Sequence, residues 1–183
     1  MSVMEKTGTP IGSYAPDFEL PGIDDKVHHL SRYLERYRAI GVVFMCNHCP
    51  YVQLYLDRLI EIQAEFQERG FTLIGINAND AFQYPEDSFE NMKNLAADRL
   101  NFPYLRDTTQ DVARCFGATK TPEVYLIDNA GILRYSGGID DNPQKPEAVR
   151  VHYLRDAIAC LLQGNTITPE STDAVGCSVK WRN

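Results

Sequence analysis

The stretch RAIGVVFMCNHCP, Arg38–Pro50, decides the architecture of the chain. From Ala39 to Cys46 it is a continuous apolar run, well short of the ~18 residues a membrane span needs and without the alternation of a half-exposed strand. It predicts a buried strand. The run breaks directly into CNHCP, and the period then changes: Val52, Tyr55, Leu59, Ile62 and Phe66 recur at steps of three and four as far as Gly70. That spacing predicts a helix with one apolar face and a glycine stop. Cys46 and Cys49 therefore lie where a strand hands over to a helix.

Outward from this core, FTLIGIN (Phe71–Asn77) reads as a second strand. A polar loop with Asn79, Asp80 and Pro85 follows it and leads to a helix starting near Asp87 or Ser88. EVYLID and ILRYS flank Asn129, Ala130 and Gly131 and predict an antiparallel hairpin. Pro146 to Leu162 predicts a last amphipathic helix, with Pro146 in its first turn and Gly164 after its end. Early β-α-β order followed by a hairpin and a helix implies an α/β fold, a central mixed β-sheet with helices on both faces. One domain is expected over residues 1–163. Residues 164–183 form a tail whose GCSVKW segment would dock through Val179 and Trp181.

At 183 residues the chain fits a single core. Its 18 basic and 25 acidic residues give a net charge of −7, which opposes nucleic acid and anionic membrane surfaces as partners. The opening Met1–Ser13 lacks the apolar stretch of a secretory signal, and five cysteines are not an even disulfide scaffold, so a cytoplasmic, reducing location is expected. A close cysteine pair in that setting is catalytic or metal-binding.

Cys46 and Cys49, three residues apart at a helix start, are close enough to form a disulfide. The ring would be too small to staple the fold, which points to redox chemistry. Helix N-terminal amides and the macrodipole favour the thiolate, and His48 between the two would add positive charge. A lone CxxC is also half of a zinc site, but no second CxxC exists, and His48 or Cys177 are awkward further ligands, so neither metal nor other cofactor is expected. Asn77, Asn79 and Asp80 follow a strand end and read mainly as a polar turn. Asp140 and Asp141 read as a solvated turn, and Cys115 and Cys160 as core packing.

In ATKTPEVYLID, Thr121 and Pro122 precede a strand as does the cis-proline facing the CxxC of thioredoxin-like proteins. APDFEL resembles the opening strand of the peroxiredoxin, or AhpC/TSA, branch of that fold, and CNHCPYV, INANDAFQYP, LRDTTQDVARCFGATKTP, GGIDDN and GCSVKW resemble one subgroup of it. The resemblance covers nearly the whole chain and implies a thiol-disulfide oxidoreductase acting on a disulfide-containing protein or small thiol, with a thioredoxin-type reductant. Peroxiredoxins carry PxxxTxxC at the peroxide-reactive cysteine. Aligned on Cys49, Val42 replaces the proline and Cys46 the threonine, although Cys49-Pro50 matches. An antioxidant peroxidase with Cys49 as its reactive cysteine is the alternative, and a redox-silent protein-binding module a third.

Pro50 as first helical residue would make Cys49 the cap. The thioredoxin resemblance instead makes Cys46 the cap and nucleophile, with Cys49 one turn inside as the resolving thiol, and that order is the expectation. Cys177, four residues before Trp181, resembles the C-terminal resolving motif of two-cysteine peroxiredoxins, which implies an auxiliary thiol, while tail docking is the simpler reading.

Overall fold

The computed structural model describes residues 8–97 and 99–183, so the Met1–Ser13 stretch lies partly outside the described residues. A short hairpin of β1 (Glu19–Pro21) and β2 (Val27–His29) leads into α1 (Leu30–Arg36). Then come β3 (Ala39–Phe44), α2 (Pro50–Phe66), β4 (Phe71–Asn77), α3 (Phe89–Ala96), β5 (Tyr104–Arg106) and α4 (Asp111–Phe116). The two-residue β6 (Lys120–Thr121) precedes the hairpin of β7 (Glu123–Asp128) and β8 (Leu133–Gly137), and α5 (Tyr153–Leu162) and β9 (Cys177–Ser178) complete the order.

The main sheet runs β5-β4-β3-β7-β8. It is parallel from β3 through β5 and antiparallel from β3 through β8, so it is mixed as expected. β3 is central and every one of its residues is buried, which is why its sequence is apolar without alternation. Its odd residues Ala39 and Val43 face α2 and α5, packing with Leu59, Phe66, Leu154 and Ile158. Its even residues Ile40, Val42 and Phe44 face Leu30 of α1 and Ala113 and Phe116 of α4. Helices therefore cover both faces. Gly70 ends the helical region in the left-handed conformation, φ 91°, one residue before β4.

Two expectations need correction. The helix expected from Pro146 starts only at Tyr153, and Pro146–Ala148 is a single 3-10 turn. Asp141 explains the delay, because its carboxylate accepts the backbone N–H groups of Arg150 and Val151 and holds that segment extended. Asp140 is not a solvated residue: it is buried, receives two hydrogen bonds from Arg58 and one from the Tyr55 hydroxyl, and ties α2 to the loop after β8. The tail crosses the exposed edge of β8 through Ser136 and then lays β9 antiparallel on β6. Val179 is buried, and Trp181 packs with the second core under Arg114.

Breaking a buried ion pair from one side leaves an uncompensated charge and costs about 3 kcal/mol or more. Asp140→Ala is therefore expected to lower the urea midpoint by an amount equivalent to about 3 kcal/mol, whereas Asp57→Ala, at the exposed pair with Arg99, shifts it by less than about 1 kcal/mol.

Candidate active site

β3 delivers the chain to Met45, whose N–H still bonds to Ile76, and the CNHC loop then turns into α2. Pro50 is the first helical residue and Cys49 is the N-cap, with extended φ/ψ of −66° and 125°. The expected order, Cys46 as cap with Cys49 one turn inside, is thus corrected. Proline tolerates the first helical position because it has no N–H to leave unpaired, and its ring pushes the preceding residue out of helical geometry. The helix cannot begin before Pro50.

Thr121 faces both sulfurs. The Thr121-Pro122 peptide is cis, the Cys49 thiol lies 3.4 Å from the Thr121 carbonyl, to which it donates when protonated, and Cys46 Sγ is 3.6 Å from the Thr121 hydroxyl. Cys177 stands directly across the β6-β9 pairing from Thr121 and packs against the core that contains Cys46 and Cys49. Gly176 permits this approach, since a Cβ there would come within 2.2 Å of the Thr121 carbonyl oxygen. All three thiols meet around one residue. Cys46 and Cys49 are each only 1% exposed, whereas Cys177 is half-buried.

The two sulfurs of the pair sit in opposite fields. Cys49 is lowered to about 4, chiefly because the Cys46 thiol donates to it; the Cys177 thiol and the Val52 amide in the first turn of α2 act in the same direction, against the effect of burial. Cys46 is pushed up, first by holding the proton it shares with Cys49, then by burial and by the negative charge of Asp87. Burial also raises Cys177, as does its hydrogen bond to Cys49. Deprotonation is thus favoured at Cys49 and opposed at Cys46.

Behind Cys46 lies a polar network centred on Asp87, which has no exposed surface. Its carboxylate accepts three hydrogen bonds, from the Asn47 N–H at 2.7 Å, Asn77 Nδ2 at 3.3 Å and Asn79 Nδ2 at 3.0 Å, and His48 Nδ1 lies 2.7 Å from it. Arg106 donates to the carbonyls of Asn77, Asn79 and Asp87, and the Tyr104 hydroxyl donates to Asn47 Oδ1. Asn77 and Asn79 are therefore site-building residues rather than a polar turn, while Asp80 pairs its backbone with Lys180 of the tail. His48 is turned towards Asp87 and stacks on Tyr84 at 5.9 Å, so its ring is engaged in this network. Among the described residues, Cys46, His48 and Asp87 are the set whose donor atoms, within 4.8 Å of one another, come near enough to share a metal ion. With three amide donors and the His48 ring already set against Asp87, the set is built as a polar network and not as a ligand cage.

Sequence reasoning missed Asp87, Tyr104, Arg106 and Asn47. Their one signal was position, since Asn77 and Arg106 end adjacent parallel strands, where α/β sites gather. Cys115 is exposed on α4 and Cys160 only half-buried, which corrects the reading of both as core.

A mixed sheet covered on both faces, with a dithiol at a helix start opposite a cis-proline segment, defines a thioredoxin-like thiol-disulfide oxidoreductase. Residues 11–136 match the model of the AhpC/TSA family, and the chain belongs to that family. It is 27% identical over 130 residues to the thiol-disulfide oxidoreductase ResA of Geobacillus thermodenitrificans, covering 71% of this chain and 70% of ResA. It is 22% identical over 139 residues to the chloroplastic 2-Cys peroxiredoxin BAS1 of Spinacia oleracea, covering 69% of this chain and 51% of that protein. An uncharacterized conserved protein from Geobacillus kaustophilus superposes with a TM-score of 0.88 at 37% identity, over 94% of this chain and 93% of its own.

The lowered Cys49 links stability to pH. Its native value of about 4 lies below the ~8.5 of a free thiol, so the reduced fold gains stability as pH rises between these values and loses it as pH falls towards 4. Reduced protein should show a denaturation midpoint that climbs over this window, with thiolate absorbance persisting in mild acid. Cys49→Ser should remove both effects.

Proposed function

We propose that Cys49 is the attacking thiolate and Cys46 the resolving thiol. The observation that carries this order is Cys49 at the N-cap ahead of Pro50, facing the free amides of the first turn, while Cys46 faces the carboxylate of Asp87. Cys49 attacks one sulfur of a substrate disulfide, forming a mixed disulfide and expelling the other substrate sulfur as a thiolate. Cys46 then loses its proton and attacks Cys49, which forms the Cys46-Cys49 disulfide and expels the second substrate sulfur. The substrate gains two electrons, and a thioredoxin-type dithiol resets the pair.

A disulfide-containing protein or small thiol compound is the substrate class. The odd cysteine count favours a reducing, cytoplasmic setting, and the net charge of −7 disfavours nucleic acid and anionic membrane surfaces. Cys177 is an auxiliary thiol in this reading, supported by its place across Thr121 from the pair. Because Cys49 is sealed, a macromolecular substrate reaches it by displacing the short β9 strand.

Peroxide reduction is the second reading, favoured by the Cys49-Pro50 cap that the peroxiredoxin pattern shares. Against it, a thiol stands at Cys46 where that pattern has a hydroxyl to orient the peroxide.

A trapping experiment separates these readings. Cys46→Ser should accumulate a mixed disulfide on Cys49 with a disulfide-bonded target, and Cys49→Ser should form none; an adduct on Cys46 in the latter would restore the thioredoxin order. With a supplied reductant, protein disulfides should be turned over faster than hydrogen peroxide. Rapid oxidation of Cys49 by dilute peroxide with little disulfide reduction would give the site to the peroxidase reading.

A further inference from the structure

We propose that Asp87 and His48 act together as the proton acceptor for Cys46 when it resolves a mixed disulfide on Cys49. The inference rests on the reading that Cys46 is the resolving thiol. A thiol must shed its proton before it can attack, and Cys46 is almost wholly removed from solvent on the side away from the tail strand, where a protein group is the ready acceptor. Cys46 Sγ, a ring nitrogen of His48 and a carboxylate oxygen of Asp87 all lie within 4.8 Å of one another.

The other titratable groups around Asp87 do not fit the task. From β5, Tyr104 is a phenol that burial keeps protonated, and Arg106 is a cation that donates to carbonyls. From the loop before α3, Tyr84 lies flat against His48, and from the tail Lys180 Nζ sits 6.0 Å from the Tyr84 ring. Cys49 is occupied by the substrate sulfur at this stage. Among the described residues, Asp87 is the carboxylate whose oxygen comes within 4.8 Å of Cys46 Sγ together with His48, and His48 gives it an outlet, since this side chain is 32% exposed whereas that of Asp87 has no exposed surface.

The step balances without an outside oxidant or reductant. The Cys46 S–H bond breaks and its proton passes to the Asp87-His48 pair, held as a carboxylate-imidazolium ion pair. The new sulfur-sulfur bond forms between Cys46 and Cys49, and the bond from Cys49 to the substrate sulfur breaks, its electron pair leaving with that sulfur. The proton then passes from the exposed ring of His48 to the departing thiolate or to water. Asp87 is at once a positioning residue for the His48 ring and a participant at the reacting thiol.

The test follows the two releases of nitrothiobenzoate from dithiobis-nitrobenzoate, in a background with Cys115, Cys160 and Cys177 replaced by Ser so that Cys46 alone can resolve. The first release reports attack by Cys49 and the second resolution by Cys46. In Asp87→Asn the second release is expected to slow by about a hundredfold more than the first near neutral pH, the lower end of what a positioned base contributes. The slowed rate should climb with pH as hydroxide replaces the missing base. His48→Ala, which leaves Asp87 and its three amide donors in place, should also slow the second release more than the first, and added imidazole should restore it. A second release that is unchanged in Asp87→Asn overturns the inference, as does an equal fall of both releases in both variants. If Asp87→Asn fails to fold, the imidazole response of His48→Ala decides. A background protein that completes the first release without any second one instead overturns the underlying reading of the dithiol.

Discussion

A fully buried carboxylate is stable only when its lone pairs are satisfied, and Asp87 obtains its four polar partners from two separate segments of the chain. Two come from Asn47 and His48 between the cysteines, and the others from Asn77 and Asn79 at the end of β4. Asn47 is drawn into a conformation that spends its N–H on Asp87, its side-chain oxygen on Tyr104 and its carbonyl on Gln53. None of these bonds belongs to a helix. The network and Pro50 thereby act together: one holds the CNHC loop out of helical geometry, and the other fixes the first residue of α2.

The unequal character of the two thiols follows from that placement. Cys49 faces the positive end of α2, while Cys46 faces the negative charge of Asp87, so the proton and the charge of the pair separate in a defined sense. His48 was expected to supply positive charge to the sulfurs. Its 2.7 Å contact with Asp87 turns the ring into the network behind Cys46. Polarity in the dithiol thus comes first from the proton that Cys46 shares with Cys49, and then from a backbone amide on one side and a carboxylate on the other.

Those features that depend on local pattern were legible in the sequence. The apolar run from Ala39, the three-four period from Val52 and the FTLIGIN strand all appear where the spacing puts them, because a short run of β-formers and a long period of three and four residues are both set by local pattern. The cap was legible too, in Pro50, but the thioredoxin resemblance outweighed it. Features that depend on distant partners were not legible. Asp87 looked like a helix start, since no local rule shows that Asn47, 40 residues earlier, donates to it. Asp140 looked solvated for the same reason, its partner Arg58 lying 82 residues away. Cys115 was misread because α4 has only six residues, too few for a period to say which face is turned outward.

Thr121 connects the tail to this chemistry. Its hydroxyl meets Cys46, its carbonyl meets Cys49, and its backbone pairs with Cys177, so a single residue senses all three thiols and the strand that covers them. Such closure suits a low-pKa thiolate, which oxidises readily when solvent reaches it. The cover itself is slight, because β9 pairs over only two residues, and strands that short contribute little by themselves. Firmer anchors lie further along, where the Lys180 backbone bonds to Asn79, Asp80 and Gln110, and Trp181 packs beneath Arg114. The tail is therefore held most firmly beyond Cys177 and most weakly at it, which lets the segment over the sulfurs yield to a substrate while the end of the chain stays in place.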